Sequence, residues 1–142
     1  MEKKLRYLEM IQGIINRMAG NSFMLKGWAV TLVSGIFVLA GEKDSWEFYL
    51  MVLLPIITFW GLDAYYLLEE RLYRSLYDKA RKLEKDCIDF SLAATTKEFG
   101  STKNNYFSCL FSKTELLFWG VLILSCIGLK LIVYISKFKC KC

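Results

Sequence analysis

FMLKGWAVTLVSGIFVLAG, residues 23–41, carries a single charge, Lys26, and its last fifteen residues carry none. A run of this length crosses the ~30 Å hydrocarbon layer of a bilayer if Lys26 lays its aliphatic stem along the helix and lifts its ammonium to the headgroups. It is read here as a first transmembrane helix. The chain then passes a polar loop, Glu42-Lys43-Asp44-Ser45, into a second apolar run over 46–68, with Pro55 near its middle and Asp63 near its end. Spans joined by so short a loop must lie side by side and antiparallel. A third run, LLFWGVLILSCIGLKLIVYI at 116–135, is broken only by Lys130 and predicts a third membrane helix over 115–136, with a tail at 137–142. The expected fold class is therefore all-α and integral to a membrane: a helical hairpin plus a third membrane helix.

The bulk composition agrees with this reading. Of 142 residues, 55% are apolar and 15% aromatic, more than a soluble domain of this size can bury. The formal net charge is +5, from 19 Lys and Arg against 14 Asp and Glu. These cations border the apolar runs, as topology signals do, so no nucleic-acid partner is expected. Histidine is absent, which removes the commonest general base, metal ligand and activator of a nucleophile. Neither an enzyme nor a cofactor is expected. Cys87, Cys109, Cys126, Cys140 and Cys142 are odd in number and form no C-x-x-C, so they read as free thiols. The terminal C-x-C is an incomplete metal-ligand set. With no cleavage pattern behind the first apolar run, that run is expected to stay in the mature protein.

Either side of the hairpin the periodicity is helical. In residues 3–19, Leu8, Ile11, Ile15 and Met18 line one face, with Tyr7, Met10 and Ile14 beside them and Arg6, Glu9, Gln12, Asn16 and Arg17 opposite. This predicts an amphipathic helix over 1–22 that ends or kinks at Gly20-Asn21-Ser22. Beyond the second span, residues 69–93 contain no Gly or Pro, and Tyr73, Leu76, Ala80, Leu83, Cys87 and Phe90 recur at intervals of three and four. They predict an assembly seam on a protruding helix, with the amphipathic N-terminal helix as the nearest partner. Residues 94–114, rich in Ser, Thr, Asn and Gly, read as a loop with a short membrane-surface piece at 106–111. Lys and Arg are concentrated before the first span and after the second, which predicts that both flanks, the N-terminus included, are cytoplasmic. A third span would then leave Lys137, Lys139 and Lys141 outside, against the same rule. Either the C-terminus is nevertheless outside or the third segment is re-entrant or interfacial, and its twenty-residue length favours a true span.

Three sets of residues stand out. Lys26 and Asp63 lie eighteen and nineteen residues from Asp44 in the turn, so an antiparallel hairpin brings them to one depth, where an ion pair is possible. Charges at that depth are costly unless paired, snorkelling or facing water. They are therefore candidates for a pore or gate, with Lys130 as a third, against the plainer reading of helix-end anchors. Gly27, Thr31 and Gly35 put small side chains on one face, a helix-packing surface for the second span or for a neighbouring subunit. Pro55 predicts a kink. Trp28, Trp46, Trp60, Tyr65, Tyr66 and Trp119 fall near span ends and read as interfacial anchors.

The stretches YLEMIQGIINRMAGNSFMLKGWAVTLVSGIF (7–37) and FWGLDAYYLLEERLYRSLYDKAR (59–81) resemble a group of small bacterial membrane proteins associated with mobile elements and antiphage defence. In layout the chain is also similar to RipA-like octameric membrane proteins and to the small pore protein that accompanies type VI CRISPR systems. The Arg-x4-His motif of the latter requires a histidine, so no ribonuclease role carries over. What the resemblance implies is a homo-oligomer in the bacterial inner (cytoplasmic) membrane that permeabilises or depolarises it when triggered. The implied partners are membrane lipid, copies of the chain itself, and a phage or defence-system protein. A non-conducting scaffold that recruits a soluble partner is the alternative.

Overall fold

The computed structural model describes residues 2–40, 46–84, 89–102 and 104–139. Of these, 87% are helical and none is in a strand. The elements are α1 (Glu2–Ala40), α2 (Trp46–Lys82), α3 (Thr96–Phe99), α4 (Tyr106–Leu110) and α5 (Lys113–Lys139). Three of them, α1, α2 and α5, are long and apolar enough to cross a membrane.

Helices α1 and α2 form one antiparallel hairpin. At its open end the Lys4 ammonium donates to the carbonyls of Arg81 and Leu83, at 3.0 and 2.7 Å. At its turn end Phe37 meets Phe48 edge to face, with centroids 5.3 Å apart. At 1.5 Å per residue each helix is about 55–60 Å long, nearly twice the ~30 Å hydrocarbon thickness. Half of the hairpin therefore fits a bilayer and half does not.

The two halves are packed differently. In the open half, Tyr7, Ile11 and Ile15 of α1 bury themselves against Leu76 and Ala80 of α2. Withdrawing such side chains from water contributes roughly 1.5–3 kcal/mol apiece. The Tyr7 hydroxyl donates to the Ser91 carbonyl, and burial pushes its pKa above the usual phenol value, with the Asp89 carboxylate adding to the rise. Toward the turn, Ala29, Val33, Val52, Ile56 and Trp119 form a separate cluster. Around it Val38, Leu39, Leu54, Leu117, Leu124 and Ile132 stand exposed, the pattern of helices that meet lipid.

Four sequence expectations change. Helix α1 runs through Gly20-Asn21-Ser22 without a break, so residues 1–22 and 23–41 are not separate elements. The reason is that Ser22 turns its hydroxyl across the seam to Asp63 and caps nothing. Helix α2 ends at Lys82, short of the expected 93. Its buried stripe is Leu68, Leu72, Leu76 and Ala80. Leu72 thus takes the place expected for Tyr73, which is half-buried at the edge of the seam together with Leu83. Phe90 lies beyond the helix, half exposed, with its ring edge-on to Tyr7 at 5.4 Å. Cys87 lies outside the described residues, as do the 42–45 turn and the terminal cysteines. Helix α2 continues through Pro55.

The loop over 94–112 is partly helical. Helices α3 and α4 fold back along α2: the Trp60 indole donates to the Leu110 carbonyl at 3.1 Å, and the Tyr106 hydroxyl to the Gly61 carbonyl at 3.1 Å. Cys109 is buried under this layer with Ala64, Leu68 and Leu72. Burial raises the pKa of its thiol, against the opposing pull of Arg71. Helix α5 then returns along the turn half of the hairpin as one uninterrupted helix, without a re-entrant reversal.

Candidate functional site

The three long helices meet at a buried cluster of charges. Lys26 comes from α1, Asp63 from α2, and Glu115 from the first turn of α5. Asp63 is 0% exposed and Glu115 2%. Counting back from Ala40, Lys26 is fourteen residues from the turn end, about 21 Å at 1.5 Å per residue. That distance is shorter than the ~30 Å thickness of a hydrocarbon layer.

The hydrogen-bond pattern explains how such charges are tolerated. The Lys26 ammonium pairs with Asp63 Oδ2 and reaches Glu115 Oε1 at 3.3 Å and Ser22 Oγ at 3.0 Å. Ser22 in turn donates to Asp63 Oδ1. The Trp119 indole N–H is shared between Asp63 Oδ2 at 3.1 Å and Glu115 Oε2 at 3.0 Å. The Phe118 ring flanks the ammonium, with its centroid 5.7 Å away. Among the described residues no buried side-chain nitrogen or oxygen is left without a partner. The cost of withdrawing these charges from water is thereby offset within one network.

This geometry brings together Lys26 and Asp63, which sequence spacing placed at one depth, and adds Ser22, Glu115 and Trp119. Glu115 and Trp119 sit at i,i+4 on α5, a spacing that puts both on one face without telling which helices that face meets. Trp119 is fully buried, so its expected interfacial anchoring is corrected. Trp28 is exposed and Trp60 half-buried; the side chain of Trp46 lies outside the described residues.

Lys130 does not join the cluster. It is fifteen residues further along α5, about 22 Å away along the helix axis. Its ammonium sits over the Tyr49 ring, 3.8 Å from the centroid, which ties the far end of α5 to α2 by a cation–π contact. Gly27, Thr31 and Gly35 face outward from the hairpin, and a Cβ added at either glycine would meet nothing within 4 Å. Among the described residues nothing packs on this small-residue face.

Chemically, the cluster offers one cation to two carboxylates that come from different helices. It is suited to holding α5 on the hairpin. Among the described residues no group of His, Cys, Asp and Glu is arranged to hold a metal ion. Compared with known proteins, the chain matches no family model, no curated protein and no solved structure.

Proposed function

We propose that this chain is a homo-oligomeric effector of the bacterial inner membrane, acting in antiphage defence, whose spans rearrange on a trigger and permeabilise or depolarise the membrane. The observation that carries the reading is the continuity of α1 and α2 from the open-end seam to the charged cluster. A displacement of Tyr7 against Leu76 is transmitted along stiff helices to Lys26 and Asp63, with no hinge between. The Lys26–Asp63–Glu115 cluster is the bistable element. Parting α5 from the hairpin takes Trp119 from Asp63 and Lys26 from Glu115 and turns the acids toward neighbouring copies, where rings of carboxylates favour cation passage. The defence setting comes from the resemblance described above, and the cytoplasmic placement of the N-terminus from the excess of Lys and Arg on both flanks of the hairpin. The chain performs no catalysis in this reading, takes no cofactor and binds no nucleic acid. Its partners are lipid, its own copies and a phage or defence-system protein that reaches the open end.

The test is membrane potential, followed with a voltage-sensitive dye in phage-challenged cells that express the chain. Depolarisation before lysis, absent from vector controls and from a Lys26→Met variant, is the expected result. An unchanged potential in cells that still resist the phage would end the effector reading. It would favour a second one, a non-conducting scaffold, to which the structure lends a recess of about 180 Å³ beside Tyr7, Lys79 and Glu98 in the open half.

A further inference from the structure

Between α2, α4 and the start of α5 lies an open cleft of about 630 Å³. Arg71 and Arg74, one turn apart on α2, line one wall, and Lys113, the first residue of α5, lines the other. Ser108, Ser112 and Asn104 complete it with short polar side chains. Glu70 neutralises part of this charge by pairing with Arg74 at 2.7 Å. Glu115, close by in sequence, points away into the buried cluster and bonds Lys26 and Trp119. Lys113 has no salt-bridge partner among the described residues. The cleft is thus cationic, with three basic side chains in its lining.

A second observation fixes the height of the cleft. Phe111 forms part of the lining and is 58% exposed, and Phe107 beside it is 67% exposed. Phe111 stands edge-on to Trp60, with centroids 6.1 Å apart. Aromatic rings exposed next to a tryptophan that is bonded at its polar end are the arrangement of a membrane–water boundary. Arg71 is eight residues above Asp63 on α2, about 12 Å along the helix axis, which sets the guanidinium at headgroup level and the cluster below it.

We propose that this cleft binds a phosphate diester, that of an anionic phospholipid. Arg71 and Arg74 offer planar guanidinium donors matched to phosphate oxygens. Lys113 adds a point charge, and the Ser108 and Ser112 hydroxyls add hydrogen-bonding groups. The acyl chains run down past Phe111 and Trp60 onto the apolar faces of α2 and α5. The site goes beyond the permeabilisation reading and serves a conducting ring and a scaffold alike. It needs only that these helices enter a membrane.

The experiment is native mass spectrometry of the detergent-purified full chain, titrated with phosphatidylglycerol or with phosphatidylcholine of the same acyl chains. The expected preference for phosphatidylglycerol is about tenfold or more, from several cations at the surface. In the double variant Arg74→Gln with Lys113→Gln that preference collapses, while Arg74→Lys with Lys113→Arg keeps it. Arg71 is left in place because it also bonds the Cys109 thiol. Circular dichroism of both variants checks that the helices persist. Equal retention of the two lipids, or a preference that survives in the Gln variant, overturns the site. Inorganic phosphate at millimolar concentration should fail to displace the lipid. If phosphate binds and phosphatidylglycerol gains nothing over phosphatidylcholine, the cleft serves a soluble anion and the lipid assignment is wrong. None of these outcomes depends on membrane potential, so the site and the effector reading fail separately.

Discussion

Trp119 is the residue on which the attachment of the third helix turns. Between helices in lipid there is little hydrophobic drive, so packing and polar contacts must supply the association. The indole N–H that joins Asp63 to Glu115 is such a contact, and Lys26 is another. The two are unequal in kind. Trp119→Phe keeps most of the ring volume and removes one donor, leaving two buried carboxylates short of a bond at a cost of about 1–3 kcal/mol. Lys26→Met keeps the stem and removes the only cation of the network, at about 3–5 kcal/mol for an uncompensated buried charge. Thermal unfolding in detergent should rank Lys26→Met below Trp119→Phe, and both below the parent chain. Equal midpoints for all three would mean that the cluster does not hold α5. Spacing alone brought Lys26 and Asp63 to one depth, because a hairpin of known turn fixes which residues face each other. Glu115 and Trp119 were illegible as partners because no local pattern tells which face of a third helix meets the other two.

At the scale of the element, α1 shows where propensity loses to packing. Gly20-Asn21-Ser22 reads as a helix end, since glycine favours a cap and Asn or Ser an N-terminus. Yet Ile15 on one side and Ala29 on the other are both buried against α2, and Ser22 and Lys26 are bonded to Asp63 between them. A break would have to give up that register. The cost of glycine in a helix interior, about 0.5–1 kcal/mol, is smaller than what the flanking contacts supply. A Cβ at Gly20 meets nothing within 4 Å. Gly20→Ala should therefore stabilise the chain by about 0.5–1 kcal/mol, seen as a higher thermal midpoint. Gly20→Pro should cost about 3 kcal/mol or more by removing a helical bond and clashing with the preceding turn. A proline tolerated there, with no gain from alanine, would restore the hinge that the sequence pattern suggested. The seam on α2 misread by one position has a similar origin. Spacings of three and four fit Tyr73 as well as Leu72, and only the partner helix decides which is buried. The early end at Lys82 had no punctuating Gly or Pro to announce it.

For the molecule as a whole, the three helices long and apolar enough to cross a membrane were the most legible feature, because three long apolar runs leave few other ways to be folded. What surrounds the hairpin was less so. The proposed homo-oligomer needs a face that folding leaves unused, and α1 has one at Gly27, Thr31 and Gly35. All three are exposed, and neither glycine has a neighbour where a side chain would go. Thr31 satisfies its hydroxyl on the Gly27 carbonyl at 2.9 Å, so that hydroxyl does not need a partner from lipid or from another helix. In a membrane, close backbone approach at small residues is a main source of helix association. Leucine at Gly27 and Gly35 would fill that approach without touching α2 or α5. The double variant Gly27→Leu with Gly35→Leu should accordingly keep its helicity and lose no thermal stability as a single chain, while native mass spectrometry shows the assembly falling toward the monomer. Retention of the parent's subunit number would exclude this face from the interface and leave the exposed side of α5, where Leu117, Leu124 and Ile132 project, to carry it. The two results also separate models of triggering. In the proposed mechanism, contacts along α1 would link copies through the helix that senses the open end, whereas contacts along α5 would link them through the helix that the charged cluster releases.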